Sequence, residues 1–249
     1  MQPATRLQLC GRLVVTIEGR RYEHALPARQ GRLLFVYLAA NRRRPVSRAE
    51  VIDAIWPERT PAAPDAALNA LLSKLRRVLG RERIPPRGEP TLVLPAGSFV
   101  DLEAAAEAIH RAESAVRTHA WPQAWAPARV ALHTALRGFL PGEQAPWIDE
   151  QRRRLEEIVL RAYECIAVSS LALGGSELDA AKRAATALIE RTPYRESGYR
   201  YLIEALRQEG NGAEALLVYE RLRTLLRTQL GAAPSPATQE LHRRLLQSR

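Results

Sequence analysis

The chain has 249 residues, of which 46% are hydrophobic, and a formal net charge of +10 at pH 7. This length and hydrophobic content allow one large domain or two of ordinary size. The longest apolar runs, such as residues 33–40, are too short to cross a bilayer. Residues 2–12 lack the apolar stretch of a secretory signal, so we expect a cytoplasmic protein with no membrane contact.

Nearly all of the net charge lies in the first 100 residues. They contain 17 Lys and Arg against 8 Asp and Glu, whereas residues 101–249 contain 20 against 19. A basic domain followed by a neutral one predicts a domain that binds a polyanion such as nucleic acid, joined to a domain that binds other proteins. A general excess of Arg in the proteome would not explain why acidic residues balance the charge in one part only. We therefore predict two domains, residues 1–100 and residues 101–249.

The chain opens with the pattern of a small antiparallel sheet. Residues 7–10 and 13–17 are predicted strands, and the second alternates apolar residues with others. Glu18-Gly19 is a plausible two-residue hairpin turn, after which the chain returns through residues 20–24.

Three helices are predicted next. The first covers residues 28–40, and Ser47 with Glu50 forms a capping box that begins the second. Trp56-Pro57 ends the second helix, and the third runs over residues 65–79. A short strand at 92–94 would complete a hairpin. This order predicts an α+β winged helix, in which the second and third helices form a helix-turn-helix.

The remainder is predicted to be all helical, so the protein is mainly α. Gly174 and Gly210 stand 36 residues apart, and each precedes an Ala-rich helix, which is close to the period of tetratricopeptide-like helical hairpins. The predicted helices cover residues 101–118, 121–138, 147–173, 177–191, 196–209, 212–230 and 236–247.

The third helix is the predicted recognition helix. At 100° per residue its leucines gather on one side, and the opposite side carries no acidic residue after Asp65. Lys and Arg can reach guanine edges or phosphates, and an Asn amide matches adenine. The alternative is an ordinary amphipathic surface helix, although such faces usually mix Glu with Lys or Arg. The candidate DNA contacts on this helix are Asn69, Ser73, Lys74, Arg76 and Arg77.

Further arginines are candidates for phosphate contacts, which need charge more than exact geometry. Arg81, Arg83 and Arg87 stand where a wing would approach DNA, and Arg44 and Arg48 stand near the start of the second helix. For any one of them a solvated surface arginine is the alternative.

Several motifs resemble a known family. In the second part they are Phe139-Leu140-Pro141-Gly142 followed by Trp147 to Arg152, then Pro193-Tyr194-Arg195-Glu196, then residues 219–238. In the first part, residues 72–80 and Ile55-Trp56-Pro57 resemble an OmpR-type winged helix. In this order the motifs make the chain similar to the Streptomyces antibiotic regulatory protein (SARP) family of transcription activators. These activators join that winged helix to a bacterial transcriptional activation domain (BTAD).

The resemblance implies a function. Such an activator binds direct repeats in double-stranded promoter DNA, often as a side-by-side homodimer, and recruits RNA polymerase. The loop from Trp56 to Pro64 would then face polymerase or a sigma factor, with Trp56, Glu58 and Arg59 as the candidate contacts. Wings of this type commonly carry a Gly-Tyr pair near the tip, but residues 85–91 are Pro-rich here, so the hairpin is expected to be short or irregular.

Other classes of protein fit less well. The sequence has no Gly-rich phosphate loop, metal-ligand spacing or nucleophile elbow, so we predict no enzyme, no metal and no cofactor. Cys10 and Cys165 are best interpreted as small core residues. The alternative function is a helical-repeat scaffold or ligand sensor whose basic head is incidental. Its groove could be lined by aromatic residues that otherwise fill the core, namely Trp121, Trp125, Trp147, Tyr199 and Tyr201.

Overall fold

The N-terminal strands form one four-stranded sheet in the computed structural model, which describes residues 5–247. The strands are β1 (Arg6–Gln8), β2 (Val14–Ile17), β3 (Arg20–Arg21) and β4 (Phe99–Val100), in the spatial order β3-β2-β1-β4. β1 pairs antiparallel with β2, placing Leu7 opposite Val15, and pairs parallel with β4. The predicted hairpin is confirmed, because Glu18 and Gly19 both have positive φ (49° and 80°), as a tight primed turn requires.

The three predicted helices follow β3. They are α1 (Arg29–Ala40), α2 (Arg48–Ile55) and α3 (Pro64–Leu79), and they pack on one another. At the start of α2 the Ser47 hydroxyl accepts from the Glu50 N–H at 3.2 Å, which confirms that half of the predicted capping box.

The predicted strand at 92–94 is wrong. Residues 81–98 contain no regular strand, and Val93 N donates to Arg83 O at 2.9 Å as an isolated link. The strand that reaches the sheet is β4, several residues later. The physical reason is that Pro85, Pro86 and Pro90 cannot donate ladder hydrogen bonds, so a regular hairpin does not form here.

The remaining elements are helices. They are α4 (Asp101–Arg117), α5 (Trp121–Ala135), α6 (Pro146–Leu173), α7 (Leu178–Arg191), α8 (Glu196–Gln208), α9 (Gly212–Leu230) and α10 (Pro236–Gln247), with a 3-10 turn at Gly175–Glu177. All seven predicted helices are present. The largest difference is that α5 ends three residues earlier than predicted.

Two compact units share these elements. The first contains residues 5–104 together with Thr134–Leu155, and the second contains Ala105–His133 together with residues 156–247. The first unit thus extends past the predicted boundary at residue 100. Its core includes Leu7, Phe35, Leu38 and Leu68, all nearly inaccessible to solvent.

Helical hairpins build the second unit. α7 packs on α8, α8 on α9, and α10 on both α8 and α9. α7 and α9 begin 34 residues apart, the period of a tetratricopeptide repeat. The core between them contains Ile189, Tyr199, Leu222 and Leu226.

The junction between α9 and α10 is a helix break. Gly231 adopts the left-handed conformation (φ 62°, ψ 20°), which ends α9 in the way that is typical of glycine after a helix. Ser235 begins the next segment with its N–H and its hydroxyl both donated to Glu196, the hydroxyl at 2.7 Å. This SARP-like stretch therefore joins α10 to the start of α8.

Candidate nucleic-acid interface

α3 is held in place by its apolar side. Leu68, Leu71, Leu72, Leu75 and Leu79 are buried, as the leucine spacing predicts. Because one whole side of the helix is packed against the first unit, the opposite side is presented to solvent in a single orientation.

The exposed side of α3 carries cations without partners. Asn69, Ser73, Lys74 and Arg77 are all exposed. Within residues 5–247, neither Lys74 nor Arg77 makes a salt bridge or a side-chain hydrogen bond. The neighbouring Ala66 and Ala70 keep this surface shallow, so the cationic heads project beyond it.

Arg48 on α2 reaches two candidate residues of α3. Its Nε donates to Asp65 Oδ1 at 2.9 Å and its Nη2 donates to Asn69 Oδ1 at 3.0 Å. The contact with Asn69 occupies the amide oxygen and leaves the amide N–H groups available. Since Asp65 is 70% exposed, this ion pair is weak and a phosphate can compete for Arg48.

Arg76, another predicted DNA contact, bonds the loop that follows α3. It is half-buried, and it donates from Nε to Ile84 O and from Nη2 to Pro85 O, both at 3.0 Å. These bonds tie the end of α3 to the following loop. Arg76 therefore supports the position of the helix and does not belong to its exposed face.

Arg83 is also engaged elsewhere. Its side chain is only 12% exposed and bonds Glu18, Glu82 and Leu79 O, with 2.7 Å to Glu18 Oε2. Arg81 and Arg87 are exposed, and within the part of the chain that the structure describes they have no such partners. Of the three predicted wing arginines, these two present free cationic heads.

Arg44 belongs to a network at the start of α2. It pairs with Glu50, which also accepts from the Tyr37 hydroxyl at 2.8 Å. Hydrogen bonds from Arg44, then from Tyr37, lower the pKa of Glu50 to about 2, so this carboxylate stays charged and keeps Arg44 occupied. Burial, followed by the bond to Glu50, raises the pKa of Tyr37 to about 12.

The loop after α2 presents the predicted polymerase contacts. Trp56 is half-buried and lines a cleft of about 190 Å³, whereas Glu58 and Arg59 are exposed. Within residues 5–247 neither Glu58 nor Arg59 makes an ion pair. Because these two exposed side chains form no ion pair within the protein, they are available to bind a partner protein.

Residues 138–152 complete the first unit, and sequence reasoning missed this role. Gly11 N donates to Gly138 O at 2.7 Å, and Leu140 N donates to Leu9 O at 3.2 Å. The Trp147 ring meets Tyr37 edge-on at 5.1 Å, and its Nε1 donates to Ala54 O on α2 at 3.1 Å. A sequence signal existed, since Trp147 belongs to a SARP-like motif, but the motif does not say where the side chain packs.

Both cysteines of the chain are buried. Burial raises the pKa of both Cys10 and Cys165 to about 12, so neither is a nucleophile near neutral pH. Among residues 5–247 no group of three or more His, Cys, Asp or Glu could hold a metal ion. None of the helices in the same residues combines the length and the hydropathy that a membrane span requires.

A basic helix-turn-helix unit and a helical-hairpin unit define the class of a two-unit bacterial transcription regulator. Residues 100–246 match the model of the bacterial transcriptional activator domain. The chain belongs to this family, and the predicted SARP resemblance is confirmed. The family consists of transcription regulators, not enzymes.

Relatives support the assignment. Regulatory protein AfsR of Streptomyces griseus is 32% identical over 229 residues, which cover 88% of this chain and 22% of AfsR. Transcriptional regulatory protein EmbR of Mycobacterium tuberculosis is 28% identical over 260 residues, covering 96% of this chain and 62% of EmbR. The chain thus spans about a fifth of AfsR and less than two thirds of EmbR.

A solved structure shows the same fold. It is EmbR from Mycobacterium tuberculosis in complex with a low-affinity phosphopeptide, with a TM-score of 0.79 and 24% identity. The match covers all of this chain and 66% of that one. The mainly helical fold with an N-terminal winged helix is therefore confirmed.

Proposed function

We propose that the protein is a transcription activator that binds double-stranded promoter DNA through α3 and recruits RNA polymerase or its sigma factor. The observation that carries the proposal is the exposed face of α3, where Lys74 and Arg77 are free of protein partners above a fully packed apolar side. A helix of this kind is what a helix-turn-helix places in the major groove.

Six residues form the proposed DNA-contact set. Lys74, Arg77, Arg81 and Arg87 supply free cations, and Asn69 and Ser73 supply hydrogen-bonding groups beside them. Arg44 and Arg48 can contact DNA only if phosphates replace their present ion-pair partners, Glu50 and Asp65 respectively. Arg76 and Arg83 are left out, because their donors hold the protein's own loop and carboxylates. We also propose that the DNA-binding and activation domains divide along the chain at residue 100, although residues 134–155 belong to the first compact unit, and that the protein binds DNA as a homodimer.

The experiment is a salt series of DNA binding followed by fluorescence anisotropy. Each phosphate neutralised contributes about −0.9 to the slope of log K against log salt. With four free cations we expect a slope of roughly −3 to −4 per bound chain, together with a preferred promoter fragment over random DNA of equal length. A folded protein with a slope near zero would contradict DNA binding.

The loop after α2 is proposed as the polymerase contact. Changing Glu58 and Arg59 together to Ala leaves the net charge unchanged, so long-range attraction to DNA is preserved. We expect transcription from the preferred promoter to fall several-fold in a purified system with the cognate polymerase, while DNA affinity stays the same.

The control is a second charge-neutral double variant, Glu220→Ala with Arg223→Ala. These residues form an exposed i,i+3 ion pair on α9. This control is expected to leave both transcription and DNA binding near wild type. Parallel loss of DNA affinity in the loop variant would remove the case for a polymerase-facing loop.

A further inference from the structure

The second unit contains an open groove between α5, α6 and α7, referred to here as the α5–α7 groove. It encloses about 320 Å³, which lies within the range of small-molecule pockets. Residues that supply its aromatic and cationic lining are Trp125, Arg129, His133, Tyr163 and Arg183.

Part of the groove wall is apolar. Leu132 and Ile166 form part of its surface, and α7 contributes Ala180, Ala184 and Ala187, which recur at helical spacing on one side. Alanine side chains are too short to fill the space between the helices, so the groove stays open. Apolar walls of this kind favour a ligand with a hydrophobic body.

Trp125 and Arg129 form one edge of the groove. The indole is 36% exposed, and the Arg129 guanidinium carbon lies 4.4 Å from its ring centroid. This cation–π contact holds Arg129 in place without neutralising its charge. A flat ligand can stack on such an edge while the guanidinium binds its anionic group.

The charge of the groove is uniformly positive or neutral. No carboxylate lines it, and within residues 5–247 neither Arg129 nor Arg183 makes a salt bridge. The acid closest along the chain to Arg183 is Asp179, and it pairs with Lys182 at 2.9 Å. Arg183 adds to the lowering of the Asp179 pKa that is due first to the hydrogen bond from Lys182, so Asp179 is its acidic neighbour outside the groove. Two guanidinium groups on a cleft whose lining holds no carboxylate are complementary to a bound carboxylate.

We propose that the α5–α7 groove binds a small carboxylate with a flat aromatic body, one molecule per chain. Arg129 and Arg183 bind the carboxylate, and the aromatic body lies between Trp125 and the alanines of α7. This ligand site belongs to the second unit, whereas α3 belongs to the first, and the site does not depend on the function proposed above.

The test uses calorimetry on the full chain with two probes, 2-naphthoate and its uncharged isostere 2-naphthamide. We expect naphthoate to bind with one site per chain and at least tenfold more tightly than naphthamide. Arg183→Gln and Arg129→Gln should each weaken naphthoate binding about tenfold or more while leaving naphthamide nearly unchanged. Arg227→Gln, an exposed arginine on α9 outside the groove, is the matched control.

The folded state of every variant is checked by circular dichroism and a thermal melt, and Trp125→Leu tests the stacking edge. Equal affinity for the two probes, or no naphthoate binding by the folded wild type, would overturn the proposal. So would binding that the groove variants and the control reduce alike. A third probe is an acidic amphipathic peptide. If the wild type bound this peptide but not naphthoate, and Arg183→Gln abolished peptide binding, the groove would be a peptide-binding site and the small-ligand proposal would be overturned.

Discussion

Replacing Lys74 and Arg77 together by alanine is expected to weaken binding to the preferred promoter fragment more than any other surface change in the protein. Each side chain that contacts a base contributes about 1–3 kcal/mol, which corresponds to a roughly 5- to 150-fold change in Kd. A side chain that contacts phosphate instead would weaken binding to all fragments and make the salt slope shallower by about 1. The measurement is anisotropy over a salt series with preferred and random fragments.

The matched control removes the same charge from the second unit. Arg223→Ala with Arg243→Ala deletes two exposed arginines that form i,i+3 ion pairs with Glu220 and Glu240. Its loss of affinity should be small and independent of sequence, because only the overall charge changes. Equal losses in the two double variants would mean that α3 acts through bulk charge and does not read the promoter.

Replacing Arg152 by alanine is expected to cause the largest loss of stability at a partly exposed site. Arg152 donates to three backbone carbonyls, those of Phe139, Leu140 and Glu143, at 3.1, 2.9 and 2.8 Å, and to Asp149 at 3.0 Å. Hydrogen bonds from charged groups contribute about 1.5–3 kcal/mol each. Since the side chain is 35% exposed, we expect a total loss of about 2–4 kcal/mol in the free energy of unfolding.

The measurement is urea unfolding followed by tryptophan fluorescence and circular dichroism. Arg153→Ala is the control, because that neighbouring side chain is 68% exposed and bonds only Glu150, so its effect should stay within about 0.5 kcal/mol. Arg152→Lys should not restore stability, since a single ammonium cannot reproduce the planar fork that spans the three carbonyls. Wild-type stability in Arg152→Ala would show that the 139–143 turn does not need this arginine.

Local patterns predicted much of the first unit. The Leu68 to Leu79 spacing predicts which side of α3 is buried, because a helix repeats every 3.6 residues whatever surrounds it. Ser47 at the start of α2 and Gly231 after α9 are equally local, since capping involves only neighbouring backbone groups. The exposure of Lys74 and Arg77 follows from the same periodicity.

Local sequence patterns did not predict which arginines form hydrogen bonds with residues outside their own helix. Nothing in the sequence around Arg83 distinguishes it from Arg81, yet Arg83 bonds Glu18 while Arg81 is exposed without such a partner. The spacing places Arg76 beside the apolar stripe of α3, but it does not reveal the loop carbonyls that Arg76 bonds. The sequence shows that an arginine is charged, but the direction in which its side chain points is set by the hydrogen-bond acceptors that the fold places near it.

The sequence by itself determined the order of the helices, the N-terminal hairpin, the buried side of α3 and the family. Each depends on interactions within a few residues or on motifs read in order. Only the tertiary structure decided that Thr134–Leu155 completes the first unit and that β4 lies at Phe99–Val100. Both features depend on contacts between residues that are far apart in the sequence. Examples are the hydrogen bonds from Leu140 N to Leu9 O and from Trp147 Nε1 to Ala54 O. Such contacts form only when the chain folds, so no local pattern predicts them.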